Sequence, residues 1–204
     1  DSMAGCRFRM ITNGSNELAE AIRQQDLHMA ISAQAGPELD NVVFYPLARD
    51  PFMIVAPAGP PLNITDLLSG NAALPFLRYA EGQLISMQIA EHLHAAGVNL
   101  SSRFEIGSHL ALMAMVARGI GWTITTPLGY MRAARFHSDM QALDLALPNA
   151  ARQISLFSGP EWSGAVPQDI AQTVRRLLQT QMIRPAVTAL PWLANKFHVM
   201  EEEV

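Results

Sequence analysis

Residues 104–127, FEIGSHLALMAMVARGIGWTITTP, have the pattern of a strand, a tight turn, a helix and a second strand. The pair Gly107-Ser108 predicts the turn and a helix N-cap, because a serine hydroxyl can accept a hydrogen bond from a first-turn N–H. Apolar residues then recur at helical spacing, and Gly119 is placed where glycine commonly ends a helix. The β-branched residues before Pro127 indicate the closing strand.

An earlier stretch, residues 12–32, TNGSNELAEAIRQQDLHMAIS, has the same layout. Gly14-Ser15 occupies the place of the glycine-serine pair above, and Asp26 occupies the place of Gly119. We therefore predict two similar α/β lobes, each with a helix N-terminus that faces a shared cleft. Helix N-termini carry free N–H groups and partial positive charge, so this cleft suits a small anionic ligand. The alternative is two ordinary strand–helix–strand units with capped helices.

Composition limits the class of protein. The chain has 204 residues, of which half are hydrophobic and 16% are charged, which suits one globular unit of one or two lobes. The net charge of −4 comes without a basic cluster, so the chain by itself is not expected to bind duplex DNA. Cys6 is the single cysteine, which excludes an internal disulfide. No apolar run approaches the ~20 residues of a membrane helix, no secretory signal is recognised, and a cytoplasmic location fits.

Catalytic and metal sites are not predicted. His92 and His94 are two residues apart and would point to different faces of a helix, without an acidic cluster beside them. Ser15 and Ser108 lack the G-x-S-x-G pattern of a nucleophile, and no phosphate-binding or dinucleotide-binding glycine motif occurs. We expect no catalytic residue, no metal and no cofactor, so an enzyme is the weakest alternative.

Other elements follow from the same local patterns. Thr65 is predicted to cap a short helix, and Pro167 to open a helix at its first position. The predicted strands cover residues 6–11, 42–47, 52–56, 74–79, 143–147 and 153–158, and further helices cover residues 84–96 and 130–137. The apolar tail residues Trp192, Leu193 and Phe197 are expected to pack on a lobe or on a partner, and residues 201–203 to be solvated.

Three segments resemble the effector-binding domain of LysR-type transcriptional regulators in order and separation. They are L..AIRQQDLHMAIS, PLARDPFMIVAPAGPPL and VARGIGWTITTP, and the resemblance covers residues 1–178. It implies an α/β fold of two Rossmann-like lobes, as in type 2 periplasmic binding proteins. Lobe I would contain residues 1–48 plus 152–204, and lobe II residues 49–151. It also implies a winged helix-turn-helix that is absent from this chain.

The resemblance further implies a function and a set of site residues. A small anionic effector would bind between the lobes and change the geometry of a homodimer or homotetramer, and so control DNA binding and transcription. The alternative is the solute-binding protein of a transporter, which has the same fold. The expected effector-binding residues are Ser2, Asn13, Ser15, Ser32, Arg78, Tyr79, Gln83, Ser108, His109 and Thr126.

Two of these residues have competing interpretations, and the start of the chain departs from the family. Arg78 could line the cleft or form a salt bridge with Glu81. His109 could reach a ligand carboxylate or be an exposed first-turn histidine. Only three residues separate Ser2 from the strand predicted at residues 6–11, too few for a parallel crossover. We therefore expect about one helix of sequence to be missing between residues 5 and 6.

Overall fold

The computed structural model describes residues 9–33, 42–162 and 164–200. In this part of the chain the strands are β1 (Met29–Ala33), β2 (Val43–Pro51), β3 (Met53–Pro57), β4 (Phe76–Tyr79), β5 (Ser102–Ile106), β6 (Thr123–Thr125), β7 (Met140–Asp144), β8 (Ala151–Ser158) and β9 (His198–Val199). The α-helices are α1 (Ser15–Arg23), α2 (Ile64–Leu68), α3 (Leu84–Ala95), α4 (His109–Ala117), α5 (Pro127–Arg132), α6 (Ala165–Leu178) and α7 (Arg184–Ala189). Short 3₁₀ turns cover Ala134–Asp139, Pro160–Trp162 and Pro191–Leu193.

The first sheet has the order β1-β8-β2-β9, and its neighbouring strands run antiparallel. Helix α6 packs against β2 and β8, and Ala171 on this helix is fully buried against Leu47 and Leu156. Helix α1 packs against β1. The apolar faces of strands and helices therefore close one core around this sheet.

The second sheet has two parts, with the orders β5-β4 and β6-β3-β7. They meet where Phe76 bridges Trp122, and the Leu77 N–H donates to the Trp122 carbonyl over 2.8 Å. This close approach requires glycine at position 121, because a Cβ there would lie 2.3 Å from the Pro75 carbonyl oxygen. The joined strands have the order β5-β4-β6-β3-β7, and a large buried core packs around them.

Two long strands carry the chain between these sheets. β2 pairs with β8 from Val43 opposite Ser158 to Pro51 opposite Ala151, and β3 of the second sheet begins after Phe52. The predicted α/β fold class is confirmed, since helices pack on both sheets. The division into lobes at the residue bounds given above stays a prediction.

The stretch quoted first folds as predicted. β5 leads into α4, and the Ser108 hydroxyl accepts from the Ala111 N–H over 3.4 Å as the N-cap. Gly119 follows the helix with a φ of 77°, a conformation that glycine adopts at little cost. β6 then ends just before Pro127, which opens α5.

The two strand–helix units, residues 12–32 and 104–127, correspond with a shift of one residue from the predicted alignment. Gly14, and not Ser15, is the N-cap of α1, because the Glu17 carboxylate accepts the Gly14 N–H over 3.2 Å and the helix begins at Ser15. The residue with positive φ after α1 is Gln25, at 60°, and not Asp26. Both helices contain nine residues, so Ser15 corresponds to His109 and not to Ser108. The predicted equivalence of the two serines was wrong.

Three smaller predictions also need correction. Asn63, and not Thr65, caps α2, since its side chain accepts from the Thr65 N–H over 2.9 Å. Pro167 is the third residue of α6 and not its first. Its missing N–H costs no helix hydrogen bond there, because the first N–H groups of a helix have no acceptor within the helix. Residues 9–11 lie outside any strand. Residues 1–8, which contain Ser2 and the predicted break after residue 5, lie outside the described residues.

The tail packs on its own chain. A π-helical turn, Gln179–Ile183, joins α6 to α7 and precedes Pro185. Leu193 and Phe197 are buried, and β9 adds to the first sheet beside Ala48 and Arg49 of β2. The expectation that apolar tail residues pack on the body of the domain therefore holds for this part of the tail. Residues 201–203 lie outside the described part.

Candidate functional site

Three neighbouring strands end at one edge of the second sheet. β4 ends at Tyr79, β5 at Ile106 and β6 at Thr125, and β4 runs parallel to both of its neighbours. Ligands of open α/β sheets bind beyond the carboxyl ends of such strands. Six of the predicted site residues end these strands or follow within a few positions, namely Arg78, Tyr79, Gln83, Ser108, His109 and Thr126.

A hydrogen-bonded chain of side chains lies just inside this edge. The Tyr79 hydroxyl is 2.7 Å from Thr125 Oγ1 and 2.7 Å from His109 Nδ1, and His109 Nε2 is 2.8 Å from the Gly129 carbonyl oxygen. A carbonyl only accepts, so Nε2 carries the proton of the neutral imidazole and Nδ1 accepts from Tyr79. Tyr79 in turn accepts from Thr125. The chain therefore joins β4, α4, β6 and α5.

Burial keeps Tyr79 and His109, the two titratable groups of this hydrogen-bonded network, neutral. It raises the pKa of the Tyr79 phenol to about 12, a shift that the hydrogen bond to Thr125 reduces. Burial also lowers the pKa of His109 below its usual value, although the bond to the Gly129 carbonyl acts in the opposite direction. The prediction of an exposed first-turn histidine was wrong, because this imidazole lies half-buried against the Tyr79 ring.

The turn before α4 presents the helix N-terminus to solvent. Ser108 is exposed, and the turn is held by Gln83, whose side-chain amide donates to the Gly107 carbonyl over 2.6 Å. The free N–H groups and the positive end of the α4 dipole are therefore available to an anion beside the Ser108 hydroxyl. Arg78 nearby is 3.4 Å from Glu81 and 3.7 Å from Glu105, so the predicted salt bridge with Glu81 is present.

Residues of α1 and β1, on the side of the first sheet, approach this edge of the second sheet. The Asn16 side-chain amide, in the first turn of α1, donates to the Gly82 carbonyl over 3.3 Å. Ser15 and Ser32 line a small cavity between α1 and β1, and the buried Ser32 hydroxyl has no hydrogen-bond partner among the described residues. Asn13 is exposed just before α1.

Thr126 is fully buried and does not reach the surface of this edge. Its hydroxyl accepts from Arg152 over 3.1 Å and from the Gly129 N–H over 3.4 Å. Arg152 also binds the buried Asp50 carboxylate over 2.9 Å, and Asp50 accepts the Leu128 N–H over 3.1 Å. Asp50 and Arg152 were not predicted, although each is a charged residue within a strand and Asp50 directly precedes the predicted apolar strand at residues 52–56.

The described residues hold no group of three or more histidine, cysteine, aspartate or glutamate side chains that could bind a metal ion. In the same part of the chain, no helix has both the length and the apolar character needed to cross a bilayer.

The family described as LysR substrate binding domain matches residues 3–187. The chain belongs to this family. Members are regulatory domains of transcription regulators and not enzymes, so the interpretation as a LysR-type regulatory domain is confirmed at this level and the transport alternative is set aside. A search of curated proteins found no match.

Solved structures of LysR-type domains are similar in fold. The effector binding domain of QuiR in complex with shikimate has a TM-score of 0.68 at 12% identity and covers 89% of this chain and 86% of its own. The reduced regulatory domain of OxyR2 from Vibrio vulnificus has a TM-score of 0.65 at 20% identity, with 81% and 79% covered. Reduced OxyR from N. meningitidis has a TM-score of 0.62 at 16% identity, with 92% and 81% covered.

Proposed function

We propose that this domain senses a small anionic metabolite bound between two lobes, residues 1–48 plus 152–204 and residues 49–151. The observation that carries the proposal is the loop at residues 80–83, which contacts two helix N-termini at once. Asn16 from the first turn of α1 binds the Gly82 carbonyl, and Gln83 binds the Gly107 carbonyl in the turn before α4. Two helix N-termini, of which that of α1 carries the Glu17 carboxylate, therefore meet at one loop, beside the edge where three strands end.

The chemistry of this place favours an anion of small size. The Ser108 hydroxyl and the N–H groups of the first turn of α4 are donors, and a charged acceptor strengthens such hydrogen bonds about twofold relative to a neutral one. His109, the first residue of α4, stacks on the buried Tyr79 ring, so both side chains support this turn from within. A solved relative binds shikimate, a small carboxylic acid, and a ligand of that size and charge is the class that we propose here.

The regulatory step would be a shift between arrangements of the two lobes. An effector can favour one arrangement only through its different affinity for the two, and contacts from both α1 and α4 supply that difference. The contact between Asn16 and Gly82 belongs to the arrangement in which these helix ends are close. In the cytoplasm, this shift would change the geometry of a homodimer or homotetramer and thereby reposition DNA-binding domains outside this sequence.

The test begins with a thermal-shift screen of small carboxylates, because a ligand that binds the native state raises its melting temperature. Calorimetric titration of the best ligand then compares wild type with Ser108→Gly, which removes the hydroxyl but keeps a tolerated cap. We expect affinity to fall by about 1–2 kcal/mol, or roughly 5- to 30-fold, as for one hydrogen bond to a charged group. Asn16→Ala and Ser15→Gly test the α1 side in the same way.

The matched control is Asn63→Gly, which alters the cap of α2 and should leave affinity unchanged. Unchanged affinity in Ser108→Gly, Ser15→Gly and Asn16→Ala together would contradict the proposed site. The fold and the family would not be affected by that result.

A further inference from the structure

A separate cavity lies beside the strand β2 that connects the two sheets. Its volume is about 470 Å³, and its walls come from three parts of the chain. Arg49 belongs to β2, Asp144 and Asn149 to the end of β7 and the loop that follows it, and Asn195 and Lys196 to the tail. None of the effector-binding residues predicted above lines this cavity.

The cavity has an excess of positive charge. Lys196 pairs with the Asp144 carboxylate, so these two charges offset each other. Arg49 Nη1 donates to the Lys196 carbonyl over 2.7 Å, and within residues 9–33, 42–162 and 164–200 this guanidinium makes no ion pair. Arg49 is half-buried at the wall of this cavity, and an anion there would form a charge-assisted hydrogen bond with its guanidinium.

The loop between β7 and β8 has an unusual backbone on the wall of the cavity. Ala146 has a φ of 56°, in the left-handed region that an alanine enters at a cost. Asn149 has a φ of 55° in the same region, which asparagine adopts more readily. The Ala146 N–H donates to Asp144 Oδ1 over 3.1 Å, which holds the loop near the ion pair. Strained backbone is often found at ligand-binding sites, and here the strained residue Ala146 lines the cavity together with Arg49.

We propose that this cavity is a second ligand site that binds a small anion through a carboxylate or phosphate group. The Arg49 guanidinium supplies the charge, and the side-chain amides of Asn149 and Asn195 supply neutral donors. A bound anion connects the tail to β2 and to the loop that precedes β8. Because β2 and β8 are the strands that pass between the sheets, occupancy of this site stiffens that connection.

The experiment uses inorganic phosphate and citrate as separate probes at low ionic strength, so that screening does not hide the interaction. Melting temperature and calorimetric heat are followed over a titration of each. We expect saturable stabilisation by at least one probe, and the stronger probe identifies phosphate or carboxylate as the preferred group.

Two variants test the residues. Arg49→Gln removes the charge, and Asn195→Asp adds a negative charge with almost unchanged shape, so each should weaken binding by about tenfold or more. Asn99→Asp, at an exposed position outside the cavity, is the matched control for the added charge and should keep wild-type affinity.

Two results would overturn the proposal. One is the absence of saturable stabilisation by either probe in the wild-type domain. The other is equal affinity in Asn195→Asp and Asn99→Asp, which remains decisive if Arg49→Gln does not fold.

Discussion

At the scale of single residues, His109 has the most constrained position of the candidate site. Its two ring nitrogens are both occupied, one by Tyr79 and one by the Gly129 carbonyl. Gly129 has no side chain for a steric reason, because a Cβ there would lie 2.9 Å from His109 Cε1 and 2.8 Å from Thr125 Oγ1. The histidine and the glycine therefore depend on each other.

This burial predicts a pH dependence of stability. The folded state lowers the pKa of His109, so below the unfolded value, near pH 6.5, the unfolded chain binds more protons and stability falls. His109→Gln should lose less stability than wild type between about pH 7.5 and 5.5. Thermal unfolding across that range measures the difference, with His94→Gln at an exposed position as the control. If the stability of wild type and of His109→Gln depends equally on pH, the lowered pKa of His109 in the folded state is contradicted.

Gly129→Ala is a second expectation at this scale. The added methyl group displaces either the imidazole or the Thr125 hydroxyl, so we expect a loss of about 1–3 kcal/mol, as for overpacking. Gly82→Ala is the control, because a Cβ at Gly82 meets no atom within 4 Å and its φ is not positive. Chemical denaturation measures both, and a loss no larger than that of the control would count against the contact.

At the scale of elements, the two helix–strand units have the same design with different residues at corresponding places. Each helix has nine residues and is followed by a residue in the left-handed conformation, which is Gln25 after α1 and Gly119 after α4. Only the second is a glycine. The first unit therefore tolerates a strained C-terminal turn that the second avoids.

Exchanging these residue types should change stability in opposite directions. Gln25→Gly should raise the free energy of unfolding by about 0.5–1 kcal/mol, because glycine adopts positive φ without a steric penalty. Gly119→Ala should lower it by about 1 kcal/mol, although a Cβ there meets no atom within 4 Å, since the penalty is conformational. Urea denaturation of both variants measures the pair. A change of the same sign in both would refute the matched design.

At the scale of the whole molecule, the buried pair of Asp50 and Arg152 lies where the chain passes between the sheets. These residues are opposite each other in the register of β2 and β8, and Asp50 is fully buried. Asp50 also accepts the Leu128 N–H, so the pair holds the start of α5 against both strands. Removal of one partner leaves a buried charge without compensation.

We expect Asp50→Asn to lower the free energy of unfolding by about 3–5 kcal/mol, the usual cost of breaking a buried pair. Glu20→Gln, which breaks the exposed pair with Arg23, should cost about 0–1 kcal/mol and is the control. The double variant Asp50→Leu with Arg152→Met should recover much of the loss, because it removes both charges. Equal effects of Asp50→Asn and Glu20→Gln on denaturation midpoints would rule out a structural role for the buried pair.

The charge of the whole chain gives a further expectation. With a net charge of −4 and no basic cluster in the sequence, this domain alone should not retard duplex DNA at micromolar concentration in about 150 mM salt. A gel-shift assay over random duplexes measures it. Retardation in that salt would indicate a DNA-binding surface on the domain itself.

Local chemistry was sufficient for much of the fold. The Ser108 cap, the glycine that ends α4 and the strand that stops before Pro127 each depend on neighbours within a few residues, so the sequence alone predicted them. The same segments carry the family resemblance, which the match over residues 3–187 confirms. The N-cap of α1 was misplaced by one residue because Gly14 and Ser15 are both suitable N-cap residues. The Glu17 carboxylate accepts the Gly14 N–H, and Gly14 is therefore the N-cap.

The remaining features depend on residues that are far apart in the chain. Asp50 and Arg152 are 102 positions apart, Arg49 and Lys196 are 147 apart, and Tyr79 and Thr125 are 46 apart. Secondary-structure propensity and hydrophobic periodicity are local properties and carry no information about such pairs. Strand order and register decide which of these side chains meet. The sequence by itself therefore determined most of the elements, the Ser108 cap and the family, whereas only the tertiary structure decided which charges are compensated and which cation faces an open cavity.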